Sequence, residues 1–152
     1  MILLKNLLGK FSLVVVREGS MNPTLADGDI LLVRSAIKPL ACGSIVIASV
    51  SSDDPGTQVK RVVGLPNDHI VFEDSMLFIN DEFYPENYLG GLPQTVGLER
   101  LEWQLGPDEY FLLGDNRSRS VDSRQYGPVH ANSILAQVRL RLWPLNRSMK
   151  LG

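Results

Sequence analysis

Three short polar segments carry the residue types that bond-making chemistry needs. The first is Glu18-Gly19-Ser20-Met21-Asn22-Pro23-Thr24-Leu25, which follows a run rich in valine. A strand ending in Gly19 and Ser20 can hold a hydroxyl clear of the backbone, and a glycine lets another chain come close. The same residues also suit an ordinary Ser/Asn/Pro turn. The second is Gln58-Val59-Lys60-Arg61-Val62-Val63-Gly64-Leu65-Pro66-Asn67-Asp68, with two cations inside an apolar strand. Alternation turns Lys60 and Arg61 to opposite faces. If one face is buried, one cation is driven toward the core, where a lysine must be neutral or paired. The alternative is an edge strand with both cations in water. The third, from Gly114 to Gly127, packs two carboxylates, three guanidiniums and three serine hydroxyls into fourteen residues. Such density needs mutual hydrogen bonds or open water.

Short strands between turn signals must position these segments. The pattern predicts strands near residues 11–17, 30–34, 44–50, 58–63, 68–73, 76–79, 109–113 and 134–142. Asp74-Ser75 and Asn80-Asp81 read as tight turns, residues 51–56 as a hairpin loop, and residues 85–106 as an irregular excursion on one edge. Few helical patterns intervene. The expected class is all-β, mainly antiparallel and closed or nearly closed into a barrel-like core, with little helix.

The 152 residues suffice for one domain, and 44% hydrophobic against 21% charged residues argues against disorder. A net charge of -2 argues against a nucleic acid as the main partner. The single cysteine, Cys42, excludes an internal disulfide framework and a thiolate zinc cluster. It reads as a small core residue. His69 and His130 show no ligand spacing with it, so no metal and no cofactor is expected. The opening Met-Ile-Leu-Leu-Lys-Asn-Leu-Leu-Gly-Lys stretch is too short and too charged for a membrane span of about 20 apolar residues. Residues 1–10 read as a membrane-surface helix or truncated anchor, or else as an element packed on the chain's own core. Residues 11–152 form a single β-domain in this reading. Phe11 and Trp143 are candidates for an aromatic rim at a membrane.

Together the three segments resemble type I signal peptidases. The Ser-Met-x-Pro-Thr-Leu run from Ser20, the Lys-Arg-Val-Val-Gly-Leu-Pro-x-Asp run from Lys60 and the Gly-Asp-Asn-Arg-x-x-Ser-x-Asp-Ser-Arg run from Gly114 occur in the family's order. The Gly28-Asp29-Ile30-Leu31-Leu32-Val33 and Trp143-Pro144-Leu145-Asn146-Arg147 boxes match as well. The resemblance implies a serine protease with Ser20 as nucleophile and Lys60 as general base. It implies that Ser120 orients the lysine, and that Asp115, Arg61, Asp122 and Arg124 brace the site by ion pairs. Met21 and Pro23 are expected at the substrate. The implied substrate is a preprotein bound as an extended strand and cut after small residues. The implied location is a membrane surface, on the extracytoplasmic side of a bacterial or organellar inner membrane, with a soluble form open.

The chemistry suits the residue types. Lysine serves as a base near neutral pH only when its pKa falls well below about 10.4, which desolvation can achieve. One position departs from the pattern. Some relatives place a serine hydroxyl two residues before the nucleophile, and here that residue is Glu18, expected to point outward. Three other readings stand beside the leading one. A dedicated soluble maturation protease would trim one partner protein. An inactive relative would bind signal sequences, and the intact Ser20, Lys60 and Ser120 speak against it. A self-cleaving repressor-type protease is disfavoured because only nineteen residues precede Ser20.

Overall fold

Short apolar runs between turns build two antiparallel sheets. The computed structural model describes residues 2–7, 10–35, 39–50, 56–90, 100–144 and 149–150, with the backbone alone for 2–7 and 149–150. The larger sheet runs in the order β1 (Ile2–Leu7), β2 (Phe11–Val15), β3 (Ile30–Ser35), β12 (Ile134–Trp143), β4 (Ile45–Ser49), β5 (Thr57–Gly64), β10 (Glu109–Leu113), β11 (Val129–His130), with β13 (Met149–Lys150) on β12. The smaller sheet runs β8 (Glu82–Phe83), β7 (Met76–Ile79), β6 (His69–Glu73), β9 (Leu101–Gln104). The one α-helix, α1 (Ser123–Tyr126), is a single turn among the described residues.

Strand β12 curls the large sheet. Its later residues pair with β3 and its first ones with β4, and its register shifts three times along ten residues. Each shift is a bulge that bends and twists the strand. The result brings β2 and β5 around one apolar cluster that includes Val14, Val16, Met21, Leu25, Ile47 and Val59. A second cluster, with Val63, Ile70, Phe72, Phe111 and Leu113, joins the small sheet to β5 and β10. Strand β5 is therefore covered on both faces from Val59 to Gly64. This overturns the edge-strand alternative for Lys60 and Arg61, and both cations are buried.

The eight expected strands are present, and the fold is all-β with little helix. Ile2–Leu7 is strand β1, paired antiparallel with β2, and not a surface helix. The supposed excursion contributes β9, which pairs with β6 through His69–Phe72. Phe11 and Trp143 lie on β2 and β12, the two strands that flank β3. Phe11 pairs with Arg34 and Trp143 with Ile30, at opposite ends of β3 and about 13 Å apart along the strand. Residues 51–55, residues 91–99 and the Leu145-Asn146-Arg147 end of the closing box lie outside the described residues.

Candidate active site

Beyond β2 the chain leaves the sheet and folds into a turn that carries Ser20. Glu18 adopts a left-handed backbone, φ 75°, and its N–H donates to Asp27 Oδ1 at 3.1 Å. Asn22 N–H returns to the Gly19 carbonyl, and the Asn22–Pro23 peptide is cis. Met21 and Leu25 anchor the turn in the core, 1% and 0% exposed. Arg141 Nη1, from β12, donates to the Thr24 carbonyl at 2.6 Å and lies 3.3 Å from Asp29 Oδ2. The far side is held by Asn116, whose backbone N–H donates to the Ser20 carbonyl and whose amide donates to the Gly19 carbonyl.

Lys60 reaches this turn from β5. Its Nζ lies 3.3 Å from Ser20 Oγ, and the residue is 2% exposed. No carboxylate forms a salt bridge with it among the described residues. Burial pushes the ammonium's pKa down, while the charges of Asp122 and Glu18 push it up and that of Arg124 pushes it down again. The net direction is down because desolvation outweighs carboxylates that are not in contact. A cavity of about 470 Å³ opens on Ser20 and Lys60, with Val16, Glu18, Gln58, Val59, Arg119 and Val121 among its walls.

The expected bracing residues form two ion-pair groups. Arg61, on the other face of β5, makes a two-pronged bond to Asp115 through Nε at 2.9 Å and Nη2 at 2.6 Å. Its Nη1 donates to the Gly43 carbonyl, its guanidinium lies over the Tyr88 ring, and Thr24 donates to Asp115. Asp122 takes two bonds from Arg124, caps α1 and accepts the Gly114 N–H. Arg124 also donates to the Arg117 carbonyl, which pins the loop between them.

Ser120 is buried, and its hydroxyl has no hydrogen-bond partner among the described residues. It packs directly on Gly114. A Cβ there would fall 2.1 Å from Ser120 Oγ and 2.6 Å from the Ser20 carbonyl oxygen, so only glycine fits between the two serines. Of the two expected substrate residues, Met21 forms part of the cavity wall although it is almost wholly buried. Pro23 is exposed and lies outside that wall, because the turn folds it away from β5.

Sequence reasoning passed over a second buried pair. Arg117 donates through Nη1 and Nη2 to the Glu86 carboxylate and through Nε to the Gly114 carbonyl. Tyr88 donates to Glu86 and accepts from Arg117, while its ring faces Arg61. Tyr88 thus links both guanidiniums behind the site. Counting charges hints at this. Arg61, Arg117 and Arg124 are three buried or half-buried cations, and Asp115 and Asp122 supply only two anions nearby.

Away from the site, the Cys42 thiol is half-buried within hydrogen-bond distance of the Val63 carbonyl and the Tyr84 hydroxyl, and burial raises its pKa. His69 sits between Glu102 and Asp81 at the surface. No group of three His, Cys, Asp or Glu side chains able to hold a metal occurs among the described residues.

Comparison with known proteins follows the same lines. The sequence model of a family described as "Signal peptidase, peptidase S26" matches residues 2–143. Signal peptidase I of Bacillus caldolyticus is 34% identical over 151 aligned residues, covering 90% of this chain and 82% of that protein. Signal peptidase I of Streptococcus pneumoniae serotype 4 is 34% identical over 174 aligned residues, with 90% and 84% covered. Among solved structures, a signal peptidase I from Enterococcus faecalis V583 superposes with a TM-score of 0.56 at 27% identity, covering 65% of this chain and 96% of that one.

Proposed function

The chain belongs to the signal peptidase family, peptidase S26, and from that premise we propose that it is a Ser–Lys endopeptidase that removes N-terminal signal peptides or propeptides after small residues. The observation that carries this reading is the 3.3 Å approach to Ser20 Oγ of a buried Lys60 amine that no described carboxylate salt-bridges. A serine hydroxyl needs an adjacent base to attack a carbonyl. In its neutral form Lys60 takes the Ser20 proton as Oγ bonds to the scissile carbon. The backbone N–H of Ser20 donates to the developing oxyanion. The Lys60 ammonium then gives its proton to the departing amine. Lys60 next takes a proton from water, which releases the acyl group from Ser20. The buried Ser120 hydroxyl supplies a partner that orients the Lys60 nitrogen. Asp115, Arg61, Asp122 and Arg124 hold the geometry without entering proton transfer.

The sheet supports an extended substrate. Strand β10 pairs with β5 only from Arg61 onward, so Thr57–Lys60 has β4 on one edge and the cavity on the other. A peptide lying there adds as a further strand and presents its carbonyl to Ser20. Met21 and Val59 wall the cavity with apolar surface. For the membrane, Leu140, Leu142 and Trp143 on β12 are exposed apolar residues suited to an interface. No helix among the described residues is long and apolar enough to cross a bilayer.

Cleavage of a synthetic preprotein peptide with an Ala-x-Ala site, in detergent and mapped by mass spectrometry, tests the reading. The expected result is one cut after the second alanine, lost by at least about 10³-fold in Ser20→Ala and in Lys60→Met. Equal cleavage by the Lys60→Met variant would remove lysine from the mechanism.

A further inference from the structure

The residue two places before the nucleophile stands on the wall of the cavity that holds Ser20 and Lys60. It is Glu18, whose backbone is fixed in the left-handed region and tied to Asp27, itself 3.8 Å from Arg17. The Glu18 side chain is exposed, and no hydrogen bond or salt bridge holds its carboxylate among the described residues. Among the described residues, the other acidic groups behind the pair are engaged. Asp115 is saturated by Arg61 and Thr24, and Asp122 by Arg124, Gly114 and the α1 cap. Among the described residues, Glu18 is the acid on this cavity wall that no cation salt-bridges.

We propose that Glu18 is a positioning residue that acts through Lys60, its free carboxylate favouring the ammonium form and so setting how far toward acid the peptidase can work. The inference rests on the Ser20–Lys60 reading above. The other charges facing Lys60 are Asp122 and Arg124 from the loop and helix α1, with Arg119 on the cavity wall; Arg61 points to the opposite face of β5, and the neighbouring β4 residue is Val46. Asp122 and Arg124 oppose one another and are locked together, so their net influence is fixed by the fold. Glu18 is the adjustable charge. Its carboxylate also stands on the nucleophile turn, where a negative group opposes the oxyanion formed at Ser20. Neutralising it therefore eases both deprotonation of Lys60 and formation of the tetrahedral intermediate. The charge is exposed, so salt should weaken its reach.

The test compares pH profiles of kcat/KM for wild type, E18Q, E18D and Lys60→Met on the Ala-x-Ala peptide at low ionic strength and in 0.5 M salt. The acid limb of E18Q should lie lower by about 0.3–1 pH unit at low ionic strength, as expected for one exposed carboxylate on the wall of the same partly wetted cavity. The shift should shrink in high salt, and E18D should keep the wild-type limb. A purely structural role for Glu18 would change the height of the profile and leave its limb in place. Coincident limbs for wild type and E18Q, with Lys60→Met inactive, would overturn the Glu18 inference and leave the dyad intact. A Lys60→Met protein as active as wild type would instead overturn the dyad, and this inference with it.

Discussion

Lys60 and Arg61 are adjacent, both buried and both cationic by nature, yet the two faces of β5 treat them in opposite ways. On one face Arg61 meets a bidentate carboxylate, a backbone carbonyl and an aromatic ring. All three of its guanidinium nitrogens donate to a neighbour, and Asp115 holds its pKa up against burial. On the other face Lys60 meets a serine hydroxyl and a mixed cavity wall from which no described carboxylate salt-bridges it, and burial drives its pKa down. A paired arginine is a fixed piece of structure. An unpaired buried lysine is under electrostatic stress that only loss of its proton relieves, and such a group is a base. The lesson is that the charge partner, and not burial alone, separates a brace from a catalyst.

Removing the partner on the Arg61 face should break the contrast most. Asp115→Ala leaves a buried guanidinium without its anion, and the expected cost is about 3–5 kcal/mol. Urea denaturation would read this as a large fall in the midpoint. A loss under about 1 kcal/mol would mean that Tyr88 and Gly43 alone satisfy Arg61.

The Lys60 face should respond with the opposite sign. Lys60→Met removes a charge that folding penalises, so stability should rise by about 1–3 kcal/mol at and below neutral pH while activity disappears. The pH dependence follows from the direction of the shift. The folded pKa lies below the unfolded value of about 10.4, so between the two the unfolded chain binds more protons and wild-type stability rises with pH. The advantage of Lys60→Met should therefore be full at acid pH and fade as pH climbs toward 10. Thermal melts of both proteins across pH 5–10 would show converging curves; parallel curves would contradict a depressed Lys60 pKa.

Tyr88→Phe sharpens the comparison with the smallest effect. It keeps the ring over Arg61 and deletes only the hydroxyl shared by Glu86 and Arg117. A loss of about 1 kcal/mol is expected, with the acid limb of the activity profile unmoved. A shifted limb would show that the ladder behind β5 also tunes Lys60.

Much of this was legible along the chain, and the missing part has one physical cause. The strands that build the site are short apolar runs between turn signals, and the placing of two cations within β5 signalled opposite environments. Glu86 and Tyr88 escaped because they lie in a short irregular stretch whose spacing has no periodicity. Their role exists only once residues 84–90 pack behind β5 and the loop at Gly114. Strand β9 was hidden in the same way, since Leu101–Gln104 is short and has value only as the edge partner of β6. For residues 2–7 the surface-helix and own-core readings both stood, because the stretch mixes leucine with Lys5 and Asn6, and the pairing with β2 decides for a strand on the chain's own sheet. Pro23 was placed at the substrate on its motif position alone; it is exposed and is not among the residues of the cavity wall.

The central claim is that Lys60 is neutral where the enzyme works and that its deprotonation switches Ser20 on. The direct measurement is a site-resolved NMR titration of Lys60, assigned with Lys60→Met and carried out beside the pH profile of kcat/KM on the same protein. The account predicts a Lys60 pKa well below about 10.4 that coincides with the midpoint of the acid limb. A Lys60 that titrates near 10 while cleavage proceeds at neutral pH would contradict it.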